Sequence, residues 1–131
     1  VVGNLKRLEL LRTKPELKEK LWYNVRKLQN GLKERGFNIG TTNTPVTPVF
    51  MSGGLFDATQ LIHDMRENFN IFCSVVVYPV IPKGQIMLRI IPTAVHTDED
   101  IELTLTAFSA LQEKLDKKLY PQEMPKIAQV A

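Results

Sequence analysis

Apolar residues recur at helical spacing in four stretches of the chain. These stretches cover residues 4–12, residues 15–35, residues 55–69 and the segment that begins at Thr97. The repeating positions are Leu5, Leu8 and Leu11; Leu17, Leu21, Val25, Leu28 and Leu32; Leu55, Ala58, Ile62, Met65 and Phe69; and Ile101, Leu105, Phe108, Leu111, Leu115 and Leu119. Spacing of three and four residues puts such side chains on one helical face, so the pattern predicts four amphipathic helices.

Residues at the ends of these stretches support the helix boundaries. Thr13 and Glu16 have the spacing of a capping box at the start of the second helix, and Thr97 and Asp100 have it at the start of the fourth. Gly36 follows the second stretch, where a residue in the left-handed conformation commonly ends a helix. We therefore expect well-defined ends for the second and fourth helices.

Three shorter runs predict strands. Residues 71–78 and 86–91 are rich in β-branched and other apolar residues, and each run is closed by a proline. A third strand is expected over residues 47–51, and it should either lie at a sheet edge or begin near Pro48, because proline cannot donate to a ladder. The run 71–78 should be a buried strand. The predicted order of elements is helix, helix, strand, helix, strand, strand, helix. Each helix has one apolar face that must be buried against the sheet, so this order predicts an α+β fold with two layers.

Composition narrows the class of protein. The chain has 131 residues, 44% of them hydrophobic and 24% charged, which fits one soluble globular domain. No apolar run approaches the roughly 20 residues of a membrane-spanning helix. The 17 basic and 14 acidic residues alternate along the predicted helices, so the net charge of +3 does not indicate nucleic-acid binding. A single cysteine excludes an internal disulfide and favours the cytoplasm.

Both ends of the chain have distinctive sequences. The opening "VVGNL" has neither an initiator methionine nor the pattern of a signal peptide, which favours a piece of a longer protein. Residues 121–131 follow Tyr120, contain two prolines and should form a poorly ordered tail. We expect residues 1–131 to be one domain, in which residues 1–14 form a connecting helix.

Arg89 is the most informative polar residue, because it interrupts the apolar run Ile86–Ile91. One interpretation places it at a sheet edge whose open face leaves the guanidinium in water. The other places it partly buried, where an unpaired charge would be costly and would need an anion. Its planar fork of donors matches a carboxylate, so a substrate carboxylate is a candidate partner.

The remaining candidate residues favour structural roles. His96 should be a helix-entry residue with local hydrogen bonds, and His63 should be solvated. Lys83, in the turn "IPKGQ", could approach a phosphate but fits an exposed loop tip better. Cys73 should be a small core residue. Two distant histidines and one cysteine do not form a metal-ligand pattern, so we expect no metal site.

Two segments carry a family resemblance. They are "LKEKLWYNVRKLQNGLKERGFNIGTTNTPVTPVF" and "YPVIPKGQIMLRIIPTAVHTDEDIE". Together they resemble the C-terminal small domain of the α-oxoamine synthases, over residues 5–116. These are fold-type-I pyridoxal-phosphate enzymes that join an amino acid to an acyl-CoA and release carbon dioxide. The resemblance implies a short, mostly antiparallel sheet covered by helices, in a homodimeric transferase.

The resemblance also implies roles for individual residues. Arg89 matches the arginine that pairs with the substrate α-carboxylate. Contacts to substrate or coenzyme A are implied for the loop that contains Tyr78, Pro79, Pro82 and Lys83. The cofactor pyridoxal 5'-phosphate and the Ser-x-His-Lys segment that holds it belong to the family's large domain. Since these 131 residues contain no such segment, they should provide no catalytic or cofactor-binding residue and be inactive alone.

The resemblance favours one family member over others. The loop "YPVIPKGQ" is similar to that of 2-amino-3-ketobutyrate CoA ligase (glycine C-acetyltransferase), which predicts glycine and acetyl-CoA as substrates. Serine palmitoyltransferase and 8-amino-7-oxononanoate synthase remain alternatives, although oxononanoate synthases and some serine palmitoyltransferases have an arginine where this chain has Val77. A free-standing, non-catalytic α+β binding module is the alternative from another class.

Overall fold

Four helices and three strands make up residues 1–120, the part of the chain that the computed structural model describes. They follow one another in the predicted order, which confirms the α+β fold. The elements are α1 (Val2–Thr13), α2 (Pro15–Glu34), β1 (Thr47–Ser52), α3 (Leu55–Phe69), β2 (Ser74–Val76), β3 (Gln85–Ile90) and α4 (Asp98–Asp116). The predicted tail, residues 121–131, lies outside the described residues. None of the four described helices combines the length and apolarity needed to cross a membrane.

The strands form an antiparallel sheet in the order β1-β3-β2. The prediction that β1 lies at a sheet edge or begins near Pro48 is confirmed. The prediction of a buried strand over residues 71–78 is wrong, because only Ser74–Val76 pair with β3 and Phe72 is 87% exposed. The pairing is short because α3 ends in a left-handed residue at Asn70 and Pro79 soon follows, which has no N–H to donate. This edge position leaves β2 half-buried.

One side of the sheet forms the hydrophobic core with α2, α3 and α4. Ile86, Leu88 and Ile90 of β3 point to this side, and each is at most 9% exposed. The helices pack closely, since a Cβ atom added at Gly31 of α2 would lie 2.4 Å from Leu105 Cδ1 of α4. By contrast, α1 has no buried residue. The core therefore depends on three helices and one sheet face.

The helix ends confirm two predictions and correct two others. Gly36 has φ +81° after α2, and Thr97 and Asp100 form a complete capping box at the start of α4. The capping box predicted at Thr13 is wrong, because its hydroxyl donates to Glu9 O and Lys14 is the N-cap. Leu119 was expected on the apolar stripe of α4, but that helix ends at Asp116 and Leu119 is 63% exposed. Here the chain leaves the helix before the stripe can continue.

A buried carboxylate joins α3 to α4 and to the segment that follows it. Asp64 on α3 is 5% exposed and accepts hydrogen bonds from Lys114 Nζ, Asn68 Nδ2 and Tyr120 Oη. Burial by itself would raise the pKa of Asp64, but these donors outweigh burial and lower it. Burial, together with the Asp64 charge, raises the pKa of Tyr120, which keeps its phenol a neutral donor. Asp64 is thus an ionised anchor for the C-terminal part of the described chain.

We predict that Asp64→Asn lowers the free energy of unfolding by about 2 kcal/mol at pH 7, since hydrogen bonds to a charged group are lost. Because folding lowers the pKa of Asp64 from its ordinary 3.8, its contribution is full above that pH. The contribution is lost as the pH falls below about 4. Urea unfolding of both chains across this range measures the difference.

Glu67→Gln is the matched control, because Glu67 lies on the same helix but is exposed. The control should unfold at the wild-type urea concentration at every pH. An Asp64→Asn chain as stable as wild type at pH 7 would contradict the anchoring role.

Candidate functional site

The second side of the sheet is exposed or half-buried. Residues that face each other across antiparallel strands point to the same side, so the strand register identifies this surface. We call it the open face, and its residues are Pro48, Phe50, Ser52, Ser74, Val76, Gln85, Met87 and Arg89. Along each strand, the residues of the open face alternate with residues that point to the core side, and the open face contains both apolar and polar side chains. The open face is therefore a surface that the described helices leave available.

Arg89 lies on the open face of the central strand. It is exposed, and its Nε donates to Ser74 Oγ at 3.1 Å. The interpretation that it lies at a sheet edge is wrong, because β3 pairs with strands on both sides. The expectation of a guanidinium in water is met in the described chain, while a partly buried Arg89 is not observed. Its Nη1 and Nη2 groups form no hydrogen bond with the described residues.

The loop between β2 and β3 borders the open face. Lys83 is exposed as predicted, and its Nζ lies 5.2 Å from the centre of the Tyr78 ring. Together with Val77, these side chains line a small cavity of about 180 Å³ against Gly54 and Leu55, at the start of α3. The loop therefore places a cation and an aromatic ring beside the strand that contains Arg89.

Two prolines complete this loop. Pro79 and Pro82 are both exposed, as are Tyr78 and Lys83. The loop residues are thus accessible to a ligand, and the expected contacts of these four residues with substrate or coenzyme A remain predictions.

A buried amide holds the segment that follows β3. Asn24 on α2 is fully buried, and its Nδ2 donates to Thr93 O at 2.8 Å and to His96 O at 2.9 Å. Asn24 was not among the residues predicted to matter, although its position between Leu21 and Leu28 places a polar side chain on the apolar face of the helix. Asn24 ties α2 to the connection between Arg89 and α4.

The predicted roles of three further residues are confirmed. His96 is a helix-entry residue whose Nδ1 accepts the Thr93 N–H at 3.0 Å, and His63 is exposed. Cys73 is a core residue with its Sγ 3.4 Å from Met65 Sδ, and burial raises the pKa of its thiol to about 11. Such a thiol is protonated at neutral pH, which fits the structural role of a buried cysteine.

The composition of the open face decides which ligand groups it can hold. Pyridoxal phosphate requires a lysine amine and an acidic partner for its ring nitrogen. The open face contains neither a lysine nor a carboxylate, so its residues do not fit that cofactor. Within residues 1–120, no cluster of side chains suits a metal ion. What the open face offers is a guanidinium, two serine hydroxyls, one amide and an apolar strip.

Comparison with known proteins reveals clear relatives. The chain is 63% identical over 120 residues to a cysteate-C-fatty acyltransferase from Capnocytophaga ochracea, covering 92% of this chain. It is 36% identical over 116 residues to an 8-amino-7-oxononanoate synthase from Exiguobacterium sibiricum, covering 88% of this chain. It spans 29% of the length of each of these curated relatives. No protein-family model matches the chain.

Solved structures agree with these relatives. A variant of a serine palmitoyltransferase from S. paucimobilis, with a bound pyridoxal phosphate–myriocin aldimine, is 27% identical, with a TM-score of 0.72. The match covers 83% of this chain and 27% of that structure. An 8-amino-7-oxononanoate synthase from Francisella tularensis has a TM-score of 0.70 at 17% identity, covering 88% of this chain and 32% of that structure, and shows the fold alone. The chain belongs to the α-oxoamine synthase family and corresponds to the small α+β C-terminal domain of these fold-type-I pyridoxal-phosphate enzymes.

Proposed function

We propose that this chain is part of a longer enzyme that transfers a fatty acyl group from an acyl-CoA to the α-carbon of cysteate. The observation that carries this choice is the 63% identity with a cysteate-C-fatty acyltransferase over nearly the whole chain. The 36% identity with an 8-amino-7-oxononanoate synthase is much lower. Because the chain spans only part of each relative, the remaining machinery must lie in the rest of the polypeptide.

This proposal replaces the substrates expected from the loop "YPVIPKGQ". Glycine with acetyl-CoA draws no support from the relatives described above, whereas enzymes of the two alternative types are among them. Transfer of a palmitoyl group to serine is the second candidate, supported by the serine palmitoyltransferase structures. Val77 disfavours the oxononanoate alternative, since an arginine is expected there.

The open face supplies the group that would hold the amino acid. The Nη1 and Nη2 groups of Arg89 form a planar pair of donors that matches the two oxygens of an α-carboxylate. Phe50, Val76 and Met87 lie on the same face and give it an apolar surface. Hydrogen bonds to a carboxylate strengthen when water is excluded, so the site requires a second surface that covers the open face.

The cofactor and the assembly belong to the same proposal. Pyridoxal phosphate, held by the rest of the polypeptide, would supply the electron sink for chemistry at the α-carbon. We propose that the complete enzyme is a cytoplasmic homodimer and that residues 1–131 are inactive alone. Tyr78, Pro79, Pro82 and Lys83 would then face the acyl-CoA.

The first prediction concerns the substrates of the full-length protein. Thiol release should be fastest with cysteate and palmitoyl-CoA, slower with serine and palmitoyl-CoA, and least with glycine and acetyl-CoA. The measurement is release of free coenzyme A for each pair. Preference for serine would favour the second candidate, and preference for glycine and acetyl-CoA would contradict fatty-acyl transfer. No release with any pair would favour another acyl-CoA, as for the oxononanoate alternative, or a non-catalytic binding module.

The second prediction concerns Arg89. Arg89→Ala should raise the KM for the amino acid about 10- to 100-fold, because hydrogen bonds to a charged group contribute about 1.5–3 kcal/mol. The absorbance of the bound cofactor should not change, since the open face does not fit the cofactor. The KM should rise for cysteate and serine alike, because both have an α-carboxylate.

Cysteate has a sulfonate in addition to its α-carboxylate, whereas serine has only the carboxylate. Comparing the two amino acids therefore shows which of these groups Arg89 binds. A loss confined to cysteate would show that Arg89 binds the sulfonate and would contradict the carboxylate assignment. Lys117→Ala serves as the matched variant, because Lys117 is an exposed cation beyond the end of α4. It should leave the KM for both amino acids at the wild-type value.

A further inference from the structure

Ser74 makes a side-chain contact with Arg89, and the proposed function assigns no role to this contact. The two residues face each other across β2 and β3, so their side chains leave the sheet on the same side. The Nε of Arg89 donates to Ser74 Oγ at 3.1 Å. Pro48, the neighbour of Arg89 on β1, has no side-chain acceptor. Ser74 is therefore the cross-strand neighbour able to hold the guanidinium.

This contact decides which edge of the guanidinium remains free. A guanidinium can bind a carboxylate through Nε and one Nη, or through both Nη groups, because its five N–H donors lie in one plane. With its N–H directed to Ser74, Nε is occupied. The pair of Nη groups at the end of the side chain is then the edge that can receive a carboxylate.

The contact also restricts the motion of a long side chain. Arginine loses considerable rotamer freedom when it is fixed, and this loss weakens binding if it occurs only when ligand arrives. Ser74 is half-buried in a strand, so its own position is restrained by the sheet. A guanidinium that is already held by a fixed hydroxyl has less freedom to lose upon binding.

We propose that Ser74 is a positioning residue, which holds the Arg89 guanidinium so that its two Nη groups receive the α-carboxylate of the substrate. This inference rests on the proposed function, because it requires an amino acid as the ligand of Arg89. It assigns to Ser74 of β2 a role in substrate binding beside the apolar surface to which Val76 contributes. Ser74 acts through Arg89 and makes no contact with the reacting atoms.

The test compares variants of the full-length protein with bound cofactor. Ser74→Ala should weaken binding of cysteate about fivefold, the effect of one hydrogen bond of ordinary strength. Titration calorimetry gives the dissociation constant, and thiol release gives the KM, which should rise by the same factor while kcat stays close to wild type. Ser74→Thr retains a hydroxyl at this position, and threonine favours strands. This variant should bind cysteate as tightly as wild type.

A double-mutant cycle separates positioning from a general effect on the sheet. Lysine has no guanidinium Nε to be held, so adding Ser74→Ala to an Arg89→Lys enzyme should not weaken binding further. Ser109→Ala is the control, because Ser109 lies on α4 and its hydroxyl also makes one hydrogen bond, to Leu105 O. It should bind cysteate like wild type.

The possible outcomes distinguish this inference from the proposed function. Wild-type binding by Ser74→Ala, or the same loss in the Arg89→Lys background as in wild type, would overturn the positioning role. If wild type binds serine or glycine instead of cysteate, the substrate proposal fails, and the same cycle is measured with the amino acid that binds. If none of the three binds to wild type, both the proposed function and the inference are refuted.

Discussion

The alternation of side chains along β3 is the constraint on which the site depends. Ile86, Leu88 and Ile90 contribute to the core with the helices, and each would lose that burial if the strand shifted by one residue. Complete burial of a side chain of this size stabilises a fold by about 1.5–3 kcal/mol. The core therefore fixes Arg89 on the opposite side, with its charge away from the helices. One face of the strand packs in the core, and the other face is exposed or half-buried and presents Arg89 for the proposed carboxylate contact.

Other contacts keep this strand and its connections in place. Asn24 holds the connection from β3 to α4 through two backbone carbonyl groups, and Asp64 joins α3 to α4. Both are buried polar groups with partners from separate segments, so the removal of either leaves unsatisfied atoms. Within residues 1–120, the open face has no buried polar anchor of this kind, and its Arg89 is exposed while its apolar residues are half-buried.

Local patterns predicted much of this arrangement. The spacing of apolar residues identified all four helices, and the proline at residue 48 indicated that β1 lies at an edge or begins near that residue. The apolar neighbours of Arg89 marked it as unusual. The contact between Ser74 and Arg89 was not predictable, because it depends on the register of two strands, which the core selects. The roles of Asn24 and Asp64 were not predicted because most of their hydrogen-bond partners are distant in sequence.

The other assignments at this site depend on the proposal that the two Nη groups of Arg89 bind the α-carboxylate of an amino acid. The most direct measurement is a crystal structure of the full-length protein with cysteate bound. We expect the carboxylate oxygens to lie about 2.7–2.9 Å from both Nη atoms, the usual length of a charge-assisted hydrogen bond. We also expect Nε still to donate to Ser74. A carboxylate bound elsewhere, with the Nη groups of Arg89 facing only water, would rule out this role of Arg89.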